Sequence, residues 1–158
     1  MERAERVWVS DNIDPEERQR MLWWTGQLLP MELMGSHVAS GRSHTTARWH
    51  DLNFRAATAV FGHFGIEWDL TTLDDGDRAA VAAWVELAKR VRPLVATGTL
   101  VHVDTADPGL DVRAVVAADR SQAFATVTQT QSLISSPTGR IRIPGLDLDR
   151  AYHVRVVT

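Results

Sequence analysis

A chain of 158 residues, 44% of them apolar and 23% charged, is long enough to bury a core and too apolar to be disordered throughout. A formal net charge of -3 gives no footing for a nucleic-acid partner, and the absence of cysteine excludes disulfides, thiolate nucleophiles and sulfur-ligated metals. No segment has the length and apolarity of a membrane span and no apolar run precedes the first acid, so neither an anchor nor a signal peptide is expected, and cytoplasmic residence is the expectation.

Residues 6–10 (RVWVS) read as a short strand ended by Asp11 and Asn12. Asp14 reads as the N-cap of a helix over residues 15–29, with Pro15 at its first position, Glu17 completing a capping box and Pro30 ending it. A second short strand is expected near residues 32–36. A second helix is expected over residues 51–63, on the spacing of Leu52, Ala56, Ala59, Val60 and His63, with Gly65 as its stop. Residues 65–70 (GIEWDL) make a third strand. Asp74 or Asp75 then opens a third helix with Val81, Trp84, Val85, Ala88 and Val91 on one stripe. Three consecutive strand–helix units predict a parallel sheet covered by helices, three units being too few to close an eight-stranded barrel.

All six tryptophans, Trp8, Trp23, Trp24, Trp49, Trp68 and Trp84, precede residue 85, and the period changes near residues 93–98. Beyond that point residues 101–103, 112–118, 124–130, 140–143 and 152–157 read as short strands between turn-rich pieces such as TADPG and SSPTG. The expected organisation is therefore an α/β unit over residues 1–97 followed by an antiparallel β-sandwich over residues 98–158.

Ligands meet the carboxyl ends of parallel strands, and Asp11 stands there, directly after VWVS. A turn-capping role for Asp11 or Asn12 accounts for the same residues, and chemistry alone leaves both readings open. Glu67 and Asp69, around Trp68 at the end of the third strand, are either site residues or, one of them, a partner for an arginine of the next helix. The polar run from Ser36 to Arg55 is expected to line or brace the mouth of the site. Its histidines match no zinc motif, and no metal or cofactor is expected. Nucleotide-binding glycine loops and a G-x-S-x-G nucleophile elbow are absent.

The segment VWVSDNIDPEERQ resembles the acid/base motif of the bacterial α-galactosidases that cleave melibiose and raffinose, glycoside hydrolase family 36, and residues 28–73 resemble the stretch that follows it. The resemblance implies a (β/α)8 TIM barrel followed by a C-terminal β-sandwich. It identifies the chain as a C-terminal fragment whose three strands are the sixth, seventh and eighth of the barrel. It places the general acid/base on Asp11 and sugar contacts on Trp8, Asn12 and His37. The family's nucleophile, the aspartate of a K-W-D strand end, and its C-x-S-G-G-G-x-R segment have no counterpart here, so the rest of the barrel is a missing partner. Ile13 stands in place of a more usual threonine, and residues 39–42 replace a proline-containing turn.

For the intact enzyme the resemblance implies retaining hydrolysis of terminal α-D-galactosides, with α-galactoside oligosaccharides as partners and homo-oligomers compatible. The isolated chain is expected to be inactive. A truncated remnant serving only as a structural or interaction module is the rival reading. A related specificity, N-acetylgalactosaminide cleavage or galactosyl transfer to sucrose, is a further one.

Overall fold

The computed structural model describes residues 4–105, 107–132 and 139–157, which divide into two compact units, Met1–Arg92 and Pro93–Thr158. In the first unit three strands, β1 (Val7–Trp8), β2 (Met34–Val38) and β3 (His63–Ile66), pair in parallel in that order. Two helices, α1 (Pro15–Thr25) and α2 (Leu52–Ala59), connect them, and a long helix, α3 (Asp75–Thr97), follows β3.

Local chemistry sets the helix starts. Asp14 caps α1, its carboxylate accepting the backbone N–H groups of Glu16 and Glu17 at 3.0 and 3.2 Å, and Pro15 needs no acceptor at the first position. Asp51 caps α2 through the Phe54 N–H, and Asp74 accepts the Asp77 N–H at the start of α3. The reciprocal arm expected of Glu17 is replaced, because its carboxylate takes the Asn12 amide and Arg48 instead. α1 stops at Thr25 and closes with turn bonds from Gly26, Gln27, Leu28 and Leu29, four residues short of the expected end.

The second helix and third strand also shift from expectation. α2 ends at Ala59, and His63, expected on the helix, begins β3. The stop is Gly62, where a Cβ would lie 2.7 Å from the Ser36 Cβ and 2.8 Å from the Met34 carbonyl oxygen. The chain turns there because only a glycine fits against β2.

Side chains alternate across β2. Met34, Ser36 and Val38 face the helices, Val38 packing with Ala56 and Ala59 and, around them, Leu52, Phe64, Ile66 and Trp84. Trp84 lies on the predicted stripe and gives its indole N–H to Asn53 at 2.9 Å. Buried polar pairs join the same layers. Gln19 of α1 donates to Thr58 of α2 at 2.7 Å, and Arg18 donates to Ser36 Oγ and the His37 carbonyl, each at 3.0 Å. Burial pushes the Arg18 guanidinium down to about 10, with Glu67 opposing, and it stays charged at neutral pH.

The second unit holds an antiparallel sheet of β4 (Thr99–His102), β5 (Leu110–Val116) and β6 (Ala123–Gln129), in that order. The turn into β4 needs Gly98, whose Cβ would lie 2.5 Å from Val115 Cγ1. Two expected strands, residues 140–143 and 152–157, do not form: neither stretch has ladder hydrogen bonds, and Val154 and Val156 are exposed. Alternation alone does not make a strand without an edge to pair with. Among the described residues this unit is one sheet, with Tyr152 closing the tail by donating to the Arg120 carbonyl at 2.6 Å and accepting the Asp147 N–H at 2.9 Å. No helix among the described residues is long and apolar enough to cross a membrane.

Candidate active site

The face of the parallel sheet opposite α1 and α2 carries Trp8 on β1, Gly35 and His37 on β2 and Gly65 on β3. A cavity of about 370 Å³ opens on it, lined by Arg6, Trp8, His37, His63 and Glu67 among others. The lining runs along all three neighbouring strands and reaches their carboxyl ends at Trp8, His37 and Ile66, where ligands sit in this architecture.

Asp11 follows β1 on an exposed turn. Its Oδ1 accepts the indole N–H of Trp8 at 2.6 Å, and Oδ2 has no hydrogen-bond partner among the described residues. Trp8 lies over Gly35, where a Cβ would be 2.9 Å from its ring, and stacks on His37 with centroids 4.5 Å apart and planes within 4°. A glycine in β2 is therefore what lets the indole lie flat across the strand. His37 is itself buried, and Glu67 Oε2 lies 3.0 Å from its Nε2, in ion-pair range but without hydrogen-bond alignment. Burial, with the nearby Arg18 charge, pushes the His37 imidazole down to about 4 against the opposing pull of Asp11, so the ring is neutral at pH 7.

Asn12 has a different surrounding. Its amide nitrogen donates to Glu17, and its Oδ1 accepts the Asp14 N–H at 2.9 Å and the Thr45 hydroxyl at 3.0 Å. The loop after β2 folds back on the start of α1 here. Arg48 Nε donates to Asp14 at 2.7 Å and Arg48 Nη1 to Glu16 at 2.8 Å, while Thr46 donates its hydroxyl to Asp14. Asp14 is fully buried. Burial raises its pKa, but the hydrogen bonds from Thr46, Arg48 and the Glu17 N–H and the Arg48 charge outweigh it and leave the carboxyl below 3.8.

Asp14, Glu16 and His50 come close enough to suggest a cation site, but the Arg48 guanidinium already bonds both carboxylates. The structure thus brings Trp8, Asp11 and His37 together and engages Asn12 in the brace of the loop. The polar run after β2 braces the turn that carries Asp11.

Glu67 joins the Trp8–His37 stack, whereas Asp69 caps its own turn by accepting from Thr71. On the next helix, α3, Arg78 turns to Asp75 and to the Leu70 and Leu73 carbonyls instead, while Arg55 of α2 lies 4.7 Å over the Trp68 ring. The hub role of Asp14 was hidden from the sequence, because its cap explained it and its partners lie 32 and 34 residues away.

Parallel strands joined by helices, with a cavity on the open face and an exposed carboxylate after the first strand, define an α/β unit of the kind that carries its site at strand ends. Residues 1–98 match the family model Melibiase. Over 157 residues the chain is 36% identical to the α-galactosidase of Escherichia coli, covering 99% of this chain and 22% of that protein. It is 30% identical to the α-galactosidase AgaA of Geobacillus stearothermophilus over 94% of this chain and 21% of that one.

A crystal structure of AgaA in complex with 1-deoxygalactonojirimycin superposes with a TM-score of 0.85 at 30% identity over 91% of this chain and 20% of that chain. The α-galactosidase of Lactobacillus brevis does so with a TM-score of 0.84 at 29% identity over 90% of this chain and 20% of its own. The chain belongs to the melibiase family, the family 36 α-galactosidases. It spans about a fifth of the length of the relatives it matches.

Proposed function

We propose that these residues supply the general acid/base of a retaining α-galactosidase acting on terminal α-D-galactosides of the melibiose and raffinose type, and that Asp11 is that group. The observation that carries the reading is Asp11 itself: an exposed carboxylate after the first strand of a parallel sheet, inside VWVSDNID, with one oxygen held by Trp8 and the other without a partner among the described residues. Support for the substrate class comes from doubly substituted variants of AgaA, crystallised with raffinose and with stachyose. In this reading β1, β2 and β3 are strands six to eight of a (β/α)8 barrel, and the antiparallel sheet is part of a C-terminal β-sandwich.

The chemistry runs in two displacements. A nucleophilic carboxylate from outside these residues attacks the anomeric carbon while the Asp11 O–H protonates the departing glycosidic oxygen as its bond to carbon breaks. The Asp11 carboxylate then takes a proton from water as the water oxygen replaces the enzyme ester at the anomeric carbon, which frees the nucleophile. The mechanism requires the two carboxyl groups to stand about 5 to 5.5 Å apart. Trp8 and His37, on the cavity wall, are proposed to meet the sugar from the same side, and Asn12 to hold the turn beneath it.

Hydrolysis of a chromogenic α-galactoside tests the reading. The 158-residue chain alone is expected to be inactive, because no K-W-D strand end is present. Combined with a family barrel segment that supplies the nucleophile, it should turn over the substrate with retention. Replacing Asp11 with Gly should stop that turnover, and azide should restore it with an α-galactosyl azide product. Turnover indifferent to Asp11 would instead favour the structural-module reading.

A further inference from the structure

Trp8 is half exposed, at 53%, yet it is among the most constrained side chains of the site. One face lies on Gly35 and its ring stacks on His37, whose own position is set by burial, by the Arg18 bond to its carbonyl and by Glu67. The single polar atom of the indole then has one direction, toward Asp11 Oδ1 at 2.6 Å. An indole N–H donates and neither accepts nor titrates, so it orients a carboxylate without competing for the proton that the carboxylate exchanges. A histidine or tyrosine there would compete.

We propose that Trp8 is a positioning residue for Asp11, with His37 and Glu67 fixing the indole so that its N–H holds Oδ1 and leaves Oδ2 to exchange a proton with the sugar oxygen. The proposal rests on the acid/base reading of Asp11 and adds a dedicated orienting group to it. It also gives the His37–Glu67 pair a purpose other than sugar contact.

Indole ¹H–¹⁵N spectra of the 158-residue chain test the contact apart from the catalytic reading. The Trp8 indole proton is expected downfield of those of the exposed Trp24 and Trp49. Asp11→Asn and His37→Ala should each move it upfield toward them, with Glu67→Gln giving a smaller shift in the same sense. An unmoved Trp8 resonance in His37→Ala overturns the proposal. Undispersed indole signals overturn it equally, since these residues would then not build the stack.

In the chain combined with its nucleophile-bearing segment, Trp8→Phe keeps an aromatic face for the sugar and loses only the N–H, so it should lower kcat by about tenfold to a hundredfold with KM nearly unchanged, the cost of a misaligned reacting group. A raised KM at constant kcat would leave Trp8 with the sugar contact alone and overturn the positioning role. Intact turnover in Asp11→Asn would remove the acid/base reading while the spectra still report whether Trp8 holds Asp11.

Discussion

Asp11 and Asp14 stand three residues apart on one turn, and their surroundings are opposite. Asp14 is fully buried and accepts from two backbone N–H groups, from Thr46 and from Arg48. Asp11 is exposed and accepts one indole proton. A carboxylate with every lone pair occupied and a guanidinium alongside is held ionised and serves the fold, because protonating it breaks the network. A carboxylate with one fixed oxygen and one open oxygen can gain and lose a proton without such a loss. The difference in saturation is what the proposed division of roles between them rests on.

The largest expected effect that would break this comparison is on activity. In the chain combined with its nucleophile-bearing segment, Asp11→Asn should reduce kcat by several orders of magnitude, about what losing one member of a catalytic pair removes. The same variant should leave the thermal unfolding of the chain within about 0.5 kcal/mol of the wild type, as expected of an exposed side chain outside the core. A large loss of stability in Asp11→Asn would place both carboxylates in the same structural role.

Asp14→Ala should do the reverse through the fold. It removes a cap and leaves the Thr46 hydroxyl and Arg48 Nε without their acceptor, and urea denaturation is expected to show a loss of about 2–4 kcal/mol. An unchanged denaturation midpoint would contradict the hub. The pH dependence follows from the same site. The folded Asp14 carboxyl lies below its ordinary value of 3.8, so its stabilisation is complete above that value and is lost as pH falls through the lower folded one.

Histidines add a second acid sensitivity at a milder pH. His37 in the first unit and His102 in the second are both pushed down to about 4, first by burial and then by Arg18 and Arg113 respectively. The unfolded chain therefore binds more protons than the folded one between about pH 6.5 and 4, and stability falls as pH is lowered through that window, on the order of 1–2 kcal/mol for each group. Circular dichroism melts at pH 7 and pH 4.5 should show the drop. His37→Gln should remove part of it from the first unit and His102→Gln part of it from the second. A pH-independent melting temperature between those values would contradict the burial of both rings. The smallest expected loss of stability is that of Trp84→Phe, which loses the bond to Asn53 and should cost about 0.5–1.5 kcal/mol, above the near-zero change expected of Asp11→Asn.

The local devices were legible in the chain. Asp14 with Pro15, Asp51, and the acids opening α3 announce helix starts within one turn, and the stripe through Val81, Trp84 and Ala88 is a periodic signal carried by the helix itself. The motif around Asp11 was equally readable. The end of α2 and the start of β3 were misplaced, because Gly62 turns the chain after α2 through its contact with Ser36, 26 residues earlier in the chain. The strands expected over residues 140–143 and 152–157 failed for a related reason, since a strand exists only with a neighbour to pair with.

By itself, then, the sequence determined the order of strand and helix in the first unit, the helix caps and the carboxylate at the end of β1, all of which depend on residues within a few positions of one another. Only the tertiary structure decided that Asp14 is a saturated hub, that Glu67 stands beside His37, and that Trp8 lies flat on Gly35 with its N–H on Asp11. Those facts depend on groups brought together across the parallel sheet from distant positions, and local propensity does not encode which of them will meet.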